Sequence, residues 1–353
     1  MTLRVALVST PFIAVPPKAY GGTELVVADL ARALTARGAQ VVVYATGDSD
    51  LPGVDVRSYF STAQWPPSRE LEIAHAGWSL RDIAQDPRGF DVVHVHSPSA
   101  VGLAHLSGCP VVYTLHHDRD DELSDLYRRT PDVSLVAISH SQAGREPVPV
   151  RAVVHHGLDP SRYHPMPDQG YLLFLGRYDR VKGCVHAIEV AARAGLPLVM
   201  AGAAHEGDYF DSEVKPLIQR HGVLELGPVG GARKAALIAR ARALLFPIEW
   251  EEPFGLVTIE AMLSGVPVIG HARGAVPEVV DDGITGVVCD DPSEMVSAAR
   301  VADKLFKRER IREVAVRRWS SERMAEDYLA VYRAAHGEQY AAEGADSGAA
   351  AEG

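Results

Sequence analysis

The sequence predicts an α/β protein built on two doubly wound parallel sheets, and three observations predict it. Short apolar runs recur along almost the whole chain, helical patterns separate them, and one stretch rich in proline and polar residues interrupts the series near its middle. Runs that are apolar throughout, without alternation, are what strands buried on both faces require. At 353 residues the chain has room for two cores sharing a cleft and is short for three.

Leu3–Val8 opens the first series. Thr23 then reads as the cap of a helix with Leu25, Val26, Leu30 and Leu34 on one face; Gly38 stops it, and the strand Val41–Thr46 completes a βαβ unit. Buried-type strands follow at Val92–Val95, Val111–Leu115, Leu135–Ile138 and Val150–Val154. The second series runs through Tyr171–Leu175, Leu198–Ala201, Leu224–Leu226, Ala243–Phe246, Val266–Ile269 and Gly286–Val288, with helical patterns at His186–Ala194 and Lys234–Ala241. Asp159–Pro167 lies between the two series and reads as the linker, which sets a boundary near residue 165 and domains of 1–165 and 166–320. Residues 337–353 hold four acids and no bases among many Ala and Gly, the composition of a tail without structure.

Composition excludes several functions. A formal charge of -11 with no basic run excludes a nucleic-acid scaffold. Cys109, Cys184 and Cys289 form an odd, scattered set without zinc spacing, as reduced thiols of a cytoplasmic protein do. No signal-like leader precedes Leu3, and no apolar stretch is long enough to span a bilayer.

Four segments carry the chemistry, since ligands of such sheets gather beyond the strand C-termini. In Glu252-Pro-Phe-Gly-Leu-Val-Thr-Ile-Glu260, Pro253 suits a helix entry and Gly255 a close backbone approach. Amides of Phe254, Gly255 and Leu256 would meet a phosphate there, and Glu260 would accept hydrogen bonds from a diol; the same spacing also suits an acidic cap on an ordinary amphipathic helix. In Phe174-Leu-Gly-Arg-Tyr-Asp-Arg-Val-Lys-Gly183, a strand ends at Gly176 with Arg177 and Lys182 at its mouth, a fork and a point charge suited to phosphate oxygens, while Arg180 reads as a solvated surface cation. Tyr20-Gly-Gly-Thr-Glu24 places Gly21, Gly22 and Thr23 at a helix start where amides approach an anion, a pattern also common without function. Ala272-Arg-Gly-Ala-Val-Pro-Glu278 follows a strand and would close a nucleotide pocket. The paired histidines His94/His96, His116/His117 and His155/His156 lack metal-ligand spacing, so no metal site is expected, and His94 reads as packed or as facing an acceptor.

The spacing of Glu252 and Glu260 around Pro-Phe-Gly resembles the E-x7-E signature of family 4 retaining glycosyltransferases, and all the motifs stand in family order over roughly residues 3 to 330. The resemblance implies a GT-B fold, two Rossmann-like doubly wound domains facing a central cleft, with the donor nucleotide on the second domain, the acceptor on the first, and the helical segment 321–336 packed back on the first. It implies that Glu252 contacts the transferred sugar, Glu260 the ribose, and Arg177 and Lys182 the diphosphate, with Gly22 and Gly176 beside the donor. His116, in Thr114-Leu-His116, would face the sugar, and Gly21, Thr23, His94 and Ser139 would lie on the acceptor side, a structural role suiting Ser139 equally well. Ala275 stands where the family usually has a second Gly, and His156-Gly-Leu-Asp159 where Asn-Gly-Val-Asp is commoner, which implies altered contacts at both places.

The expected reaction is metal-independent hexosyl transfer with retention, from a UDP-, GDP-, ADP- or dTDP-sugar to a small-molecule, oligosaccharide or lipid-linked acceptor, with no further cofactor. Two alternatives are a nucleotide-sugar-binding partner without catalysis, which has no need of Arg177, Lys182, Glu252 and His116 together, and a nicotinamide oxidoreductase. Against the latter, Val5–Val8 leads into Ser-Thr-Pro-Phe and not into G-x-G-x-x-G.

Overall fold

A computed structural model describes residues 2–204 and 207–349, with side chains to residue 337. The chain forms two compact units: one holds the chain up to Pro17, Gly21–His155 and the helix that starts at Ser321; the other holds Lys18–Tyr20 and His156–Ser320. The proline-rich stretch read as a linker thus belongs to the second unit, where Tyr163 is buried.

The first unit carries seven parallel strands, β1 (Arg4–Val8), β2 (Gln40–Tyr44), β3 (Asp55–Arg57), β4 (Val92–Val95), β5 (Val111–Thr114), β6 (Ser134–Ala137) and β7 (Ala152–Val153). Their order is β3-β2-β1-β4-β5-β6-β7. Every residue of β1, β4 and β5 is buried, as expected of Val-rich strands with helices on both faces. The core gathers Val8, Tyr44, Leu80, Val95, Tyr113 and Leu135. β3 was not expected: its Asp-Val-Arg sequence is only partly buried and has no apolar run. The first long helix, Gly22–Ala36, is capped by Gly21 and not by Thr23, which lies within its first turn.

The last helix, Ser321–Ala349, packs on the helix Gly22–Ala36 and on β4 and β5 of this unit. Its Met324, Tyr328 and Tyr332 are completely buried. Its backbone continues beyond residue 337, where the composition suggests a tail without structure.

The second unit repeats the plan with six parallel strands, β8 (Leu172–Leu175), β9 (Leu198–Ala201), β10 (Leu224–Glu225), β11 (Ala243–Phe246), β12 (Val268–His271) and β13 (Gly286–Cys289), ordered β10-β9-β8-β11-β12-β13. Leu172, Phe174, Ile188, Met200, Leu245 and Ile269 lie at its centre. In both units the strand order reverses once, between β1 and β4 and between β8 and β11. That reversal opens a crevice beyond the strand C-termini, the place where open α/β sheets bind ligands.

Candidate functional site

In the second unit, β8 runs out into Gly176 and Arg177, and the neighbouring β11 into Pro247–Glu252, so the charged motifs leave the sheet on either side of the switch point. The two loops are tied together by a hydrogen bond of 2.9 Å from Glu249 N to Val181 O. Lys182 ends a 3₁₀ turn, Arg180–Lys182, that Gly183 closes with φ +72° before the helix Cys184–Ala194 begins. A β-carbon at Gly183 would lie 1.9 Å from Pro247 O, so only glycine lets the two loops meet.

Lys182 Nζ lies 2.5 Å from Glu252 Oε2. The same oxygen accepts a hydrogen bond of 2.8 Å from Trp250 Nε1, and the Lys182 ammonium sits 4.8 Å from the centroid of the Trp250 ring. Both charged side chains are largely buried, at 17% and 11% exposure, which strengthens their attraction over that of a surface pair. Arg177 Nε comes within 2.9 Å of Asp179 Oδ2 but lacks hydrogen-bond alignment, and its terminal nitrogens have no protein partner among the described residues. A half-exposed guanidinium in that state is available to an anion. Arg180 turns away to pair with Glu213 over the Tyr209 ring.

The backbone of Glu252 is held by the segment after β12. Ala275 N donates to Glu252 O at 2.9 Å, and Gly274 N to Glu251 Oε2 at 2.9 Å. The close approach falls at Gly274, whose added β-carbon would lie 2.3 Å from Glu252 N, while the fully buried Ala275 is accommodated where the family more often has glycine.

The helix after Glu252 spans Leu256–Leu263 with Gly255 as its cap, so Pro253 precedes it and does not open its first turn. Among the described residues the amides of Gly255 and Leu256 have no acceptor. They are the free donors an anion at a helix N-terminus uses. The Phe254 side chain is buried edge-on against His156 and Trp319, ring centroids 5.1 and 5.8 Å away, and so anchors the loop from below. Glu260 is 3% exposed, and its Oε1 receives Lys234 Nζ at 2.6 Å and Tyr163 Oη at 2.9 Å. Trp250, Tyr163 and Lys234 were not singled out from the sequence. They belong to no recognised motif, and Tyr163 stands 97 residues from the carboxylate it donates to.

In the first unit, His96 follows β4 and His116 follows β5, and the two rings meet through a His96 Nδ1 to His116 Nε2 contact of 2.9 Å. His94, expected on the acceptor side, is fully buried: Tyr332 Oη is 2.7 Å from its Nδ1 and Thr114 Oγ1 is 2.7 Å from its Nε2. With both nitrogens engaged it binds the last helix to the sheet and cannot reach a substrate. Ser139, also expected there, is the buried cap of the helix His140–Arg145 and accepts from Gln142 N at 3.0 Å. His117 bonds Tyr127 Oη at 2.7 Å.

Burial pushes the pKa of His94 well below its ordinary value, with a smaller push from His116. His116 reaches the surface along one edge, yet its ring lies among buried atoms, and burial, then His117, lowers its pKa to about 3. Both imidazoles are therefore neutral at physiological pH. Gly21 and Gly22 lie beside Glu24, a buried acid that accepts a 2.6 Å hydrogen bond from Thr10 and whose pKa burial raises.

Two units of this strand order, with basic and acidic groups gathered at the switch point of the second, define a GT-B type of protein. Comparison agrees: residues 161–318 match the model of Glycosyl transferases group 1, and residues 20–188 that of Glycosyltransferase Family 4. The crystal structure of AviGT4, a glycosyltransferase involved in Avilamycin A biosynthesis, is 30% identical with a TM-score of 0.76, covering 95% of this chain and 98% of that one. An uncharacterised 41.2 kDa protein in the cps region of Klebsiella pneumoniae is 30% identical over 171 residues, 46% of each chain. Anabaena Alr3699/HepE in complex with UDP-glucose shares the fold at 19% identity, with a TM-score of 0.70 over 94% of this chain and 100% of its own. The chain belongs to glycosyltransferase family 4. No helix among the described residues is long and apolar enough to cross a membrane.

Proposed function

We propose that this glycosyltransferase takes a sugar from a nucleoside diphosphate donor bound in its second unit and passes it, with retention of anomeric configuration and without a metal, to an acceptor hydroxyl. The observation that carries this reading is the pair of buried glutamates, Glu252 and Glu260, on either side of the free Gly255 and Leu256 amides, with Lys182 paired to Glu252 and Arg177 at the end of the neighbouring strand β8. A diphosphate suits the amides and the two cations, a ribose diol suits Glu260, and the transferred sugar suits Glu252.

As the glycosidic bond breaks, negative charge grows on the departing phosphate. Arg177 and the helix amides, joined by Lys182 as it turns from Glu252, are donors for that charge and stabilise it more than they stabilise the ground state. They supply the positive potential that a divalent ion provides elsewhere. No side chain is assigned as a covalent nucleophile; in keeping with the family, the leaving phosphate takes the proton of the incoming hydroxyl on the same face of the sugar. His116, neutral and held by His96, serves as a hydrogen-bonding group toward the sugar. The donor bound by Anabaena Alr3699/HepE, UDP-glucose, is of the proposed class, and the involvement of AviGT4 in Avilamycin A biosynthesis favours a small-molecule or oligosaccharide acceptor.

A thermal-shift panel of UDP, GDP, ADP and dTDP without metal tests the donor site, because a ligand of the folded state raises its apparent stability. One nucleotide is expected to stabilise the protein by about 3 kcal/mol at a hundredfold excess over its Kd, and Glu260→Ala and Lys182→Ala should each lose the shift. Indifference to all four nucleotides would refute the reading.

A further inference from the structure

We infer that Trp250 is a positioning residue for Glu252, supplying the one donor that keeps its carboxylate aimed when Lys182 turns to the diphosphate; this rests on the donor reading above. Glu252 Oε2 takes both Lys182 Nζ at 2.5 Å and the indole N–H at 2.8 Å, and Glu252 Oε1 has no partner among the described residues. The carboxylate therefore has one tethered oxygen and one open to a ligand.

The two tethers differ in kind. Lysine is a mobile point charge on a flexible stem, and a diphosphate bearing several negative oxygens competes with a single carboxylate for it. The indole N–H is neutral, lies in the plane of a rigid ring and has no second acceptor to follow. Once the ammonium shifts toward phosphate, Trp250 alone fixes the rotation of the carboxylate and hence the direction in which Oε1 faces the sugar. The face of the same ring lies 4.8 Å from the ammonium, so the indole also keeps Lys182 close to the site while it changes partner. Glu260 is organised in parallel: Tyr163 and Lys234, one neutral donor and one cation, both fall on Oε1.

Two substitutions separate the contributions of the ring. Trp250→Phe keeps an aromatic face under the ammonium and removes the N–H; Trp250→Leu removes both. Calorimetric titration of wild type and variants with UDP, GDP, ADP and dTDP, and with UDP-glucose, UDP-N-acetylglucosamine, GDP-mannose, ADP-glucose and dTDP-glucose, reads phosphate and sugar contacts separately. Trp250→Phe should bind the preferred nucleoside diphosphate within about twofold of wild type and its sugar conjugate about tenfold more weakly, the scale of a hydrogen bond to a charged group. Trp250→Leu should weaken both ligands, and Trp250→His, which restores a ring N–H, should recover part of the sugar-dependent affinity. Thermal unfolding of each variant shows whether the fold persists.

Unchanged sugar-conjugate affinity in Trp250→Phe, including the case of a wild type that gains nothing from any sugar, overturns the positioning role. So does an equal loss of both ligands, which marks Trp250 as structural support for the loop. A wild type that binds none of the nucleotides overturns the donor reading itself, and this inference falls with it.

Discussion

Gly183→Ala is expected to destabilise the second unit by about 3 kcal/mol and to remove nucleotide binding with it. A left-handed backbone costs an alanine about 1–2 kcal/mol, and a β-carbon 1.9 Å from Pro247 O adds an overpacking cost of about 1–3 kcal/mol. Relief requires the turn holding Lys182 to draw back from the loop holding Glu252, which parts the ion pair between them. Gly222 is an internal control: it has φ +64° at the end of the helix Lys215–His221, and a β-carbon there meets nothing within 4 Å. Its alanine variant should show the backbone cost alone, about 1 kcal/mol, with nucleotide binding intact. Urea unfolding of both variants decides the matter; equal midpoints would show that the contact with Pro247 O is not what requires glycine.

Mild acid should destabilise the first unit through its buried histidines. His75, on the helix Arg69–Gln85, lies buried against the backbone near Ser9 and Tyr44, with neither ring nitrogen in hydrogen-bonding geometry, and burial lowers its pKa to about 4. A histidine with a depressed folded pKa costs nothing above the unfolded value of about 6.5. Below that value the unfolded chain takes up a proton that the folded one refuses, so stability falls steadily from about pH 6.5 to about pH 4. For His75 the whole loss is about 3 kcal/mol, and His94 and His116, in the same unit, act with the same sign. Glu24 opposes them, since its raised pKa lets the folded state take up a proton first. The sum remains a large part of the stability of an ordinary domain. Between pH 7 and pH 5, His75→Phe should lose about 2 kcal/mol less stability than the wild type, as measured by denaturant midpoints at the two pH values, the remaining loss being that of His94 and His116; a midpoint that falls as far as in the wild type would exclude His75 as a source.

The architecture was legible in the sequence because parallel strands covered on both faces must be apolar end to end, and Leu3–Val8, Val111–Leu115 and Ala243–Phe246 are. β3 was not, because an edge strand that is only partly buried carries no such run. At the candidate site, Glu252, Glu260, Arg177 and Lys182 announced themselves by spacing, since each occupies a loop directly after a strand or the helix that follows one. Trp250, Tyr163 and Lys234 escaped because what recruits them is the folding together of separate segments, and a lone Trp or Lys has no periodicity to betray it. For His94 and Ser139 the sequence left a packed and an acceptor-side reading side by side, because a polar side chain at the end of a buried strand suits either; hydrogen bonds to Tyr332, Thr114 and the Gln142 amide engage these two inside the fold.

The return of the last helix to the first unit bears on the order in which the protein is made. His156–Ser320 is contiguous and can close its own sheet as soon as Ser320 has left the ribosome, whereas the first unit, though begun earlier, waits for Tyr328 and Tyr332 before Thr114 and His94 gain their partners. Synthesis from the N-terminus thus completes the second unit first. Until the helix from Ser321 has emerged, the nascent chain exposes the apolar flank of β4 and β5 that this helix covers, and this is the stage at which a chaperone would hold it.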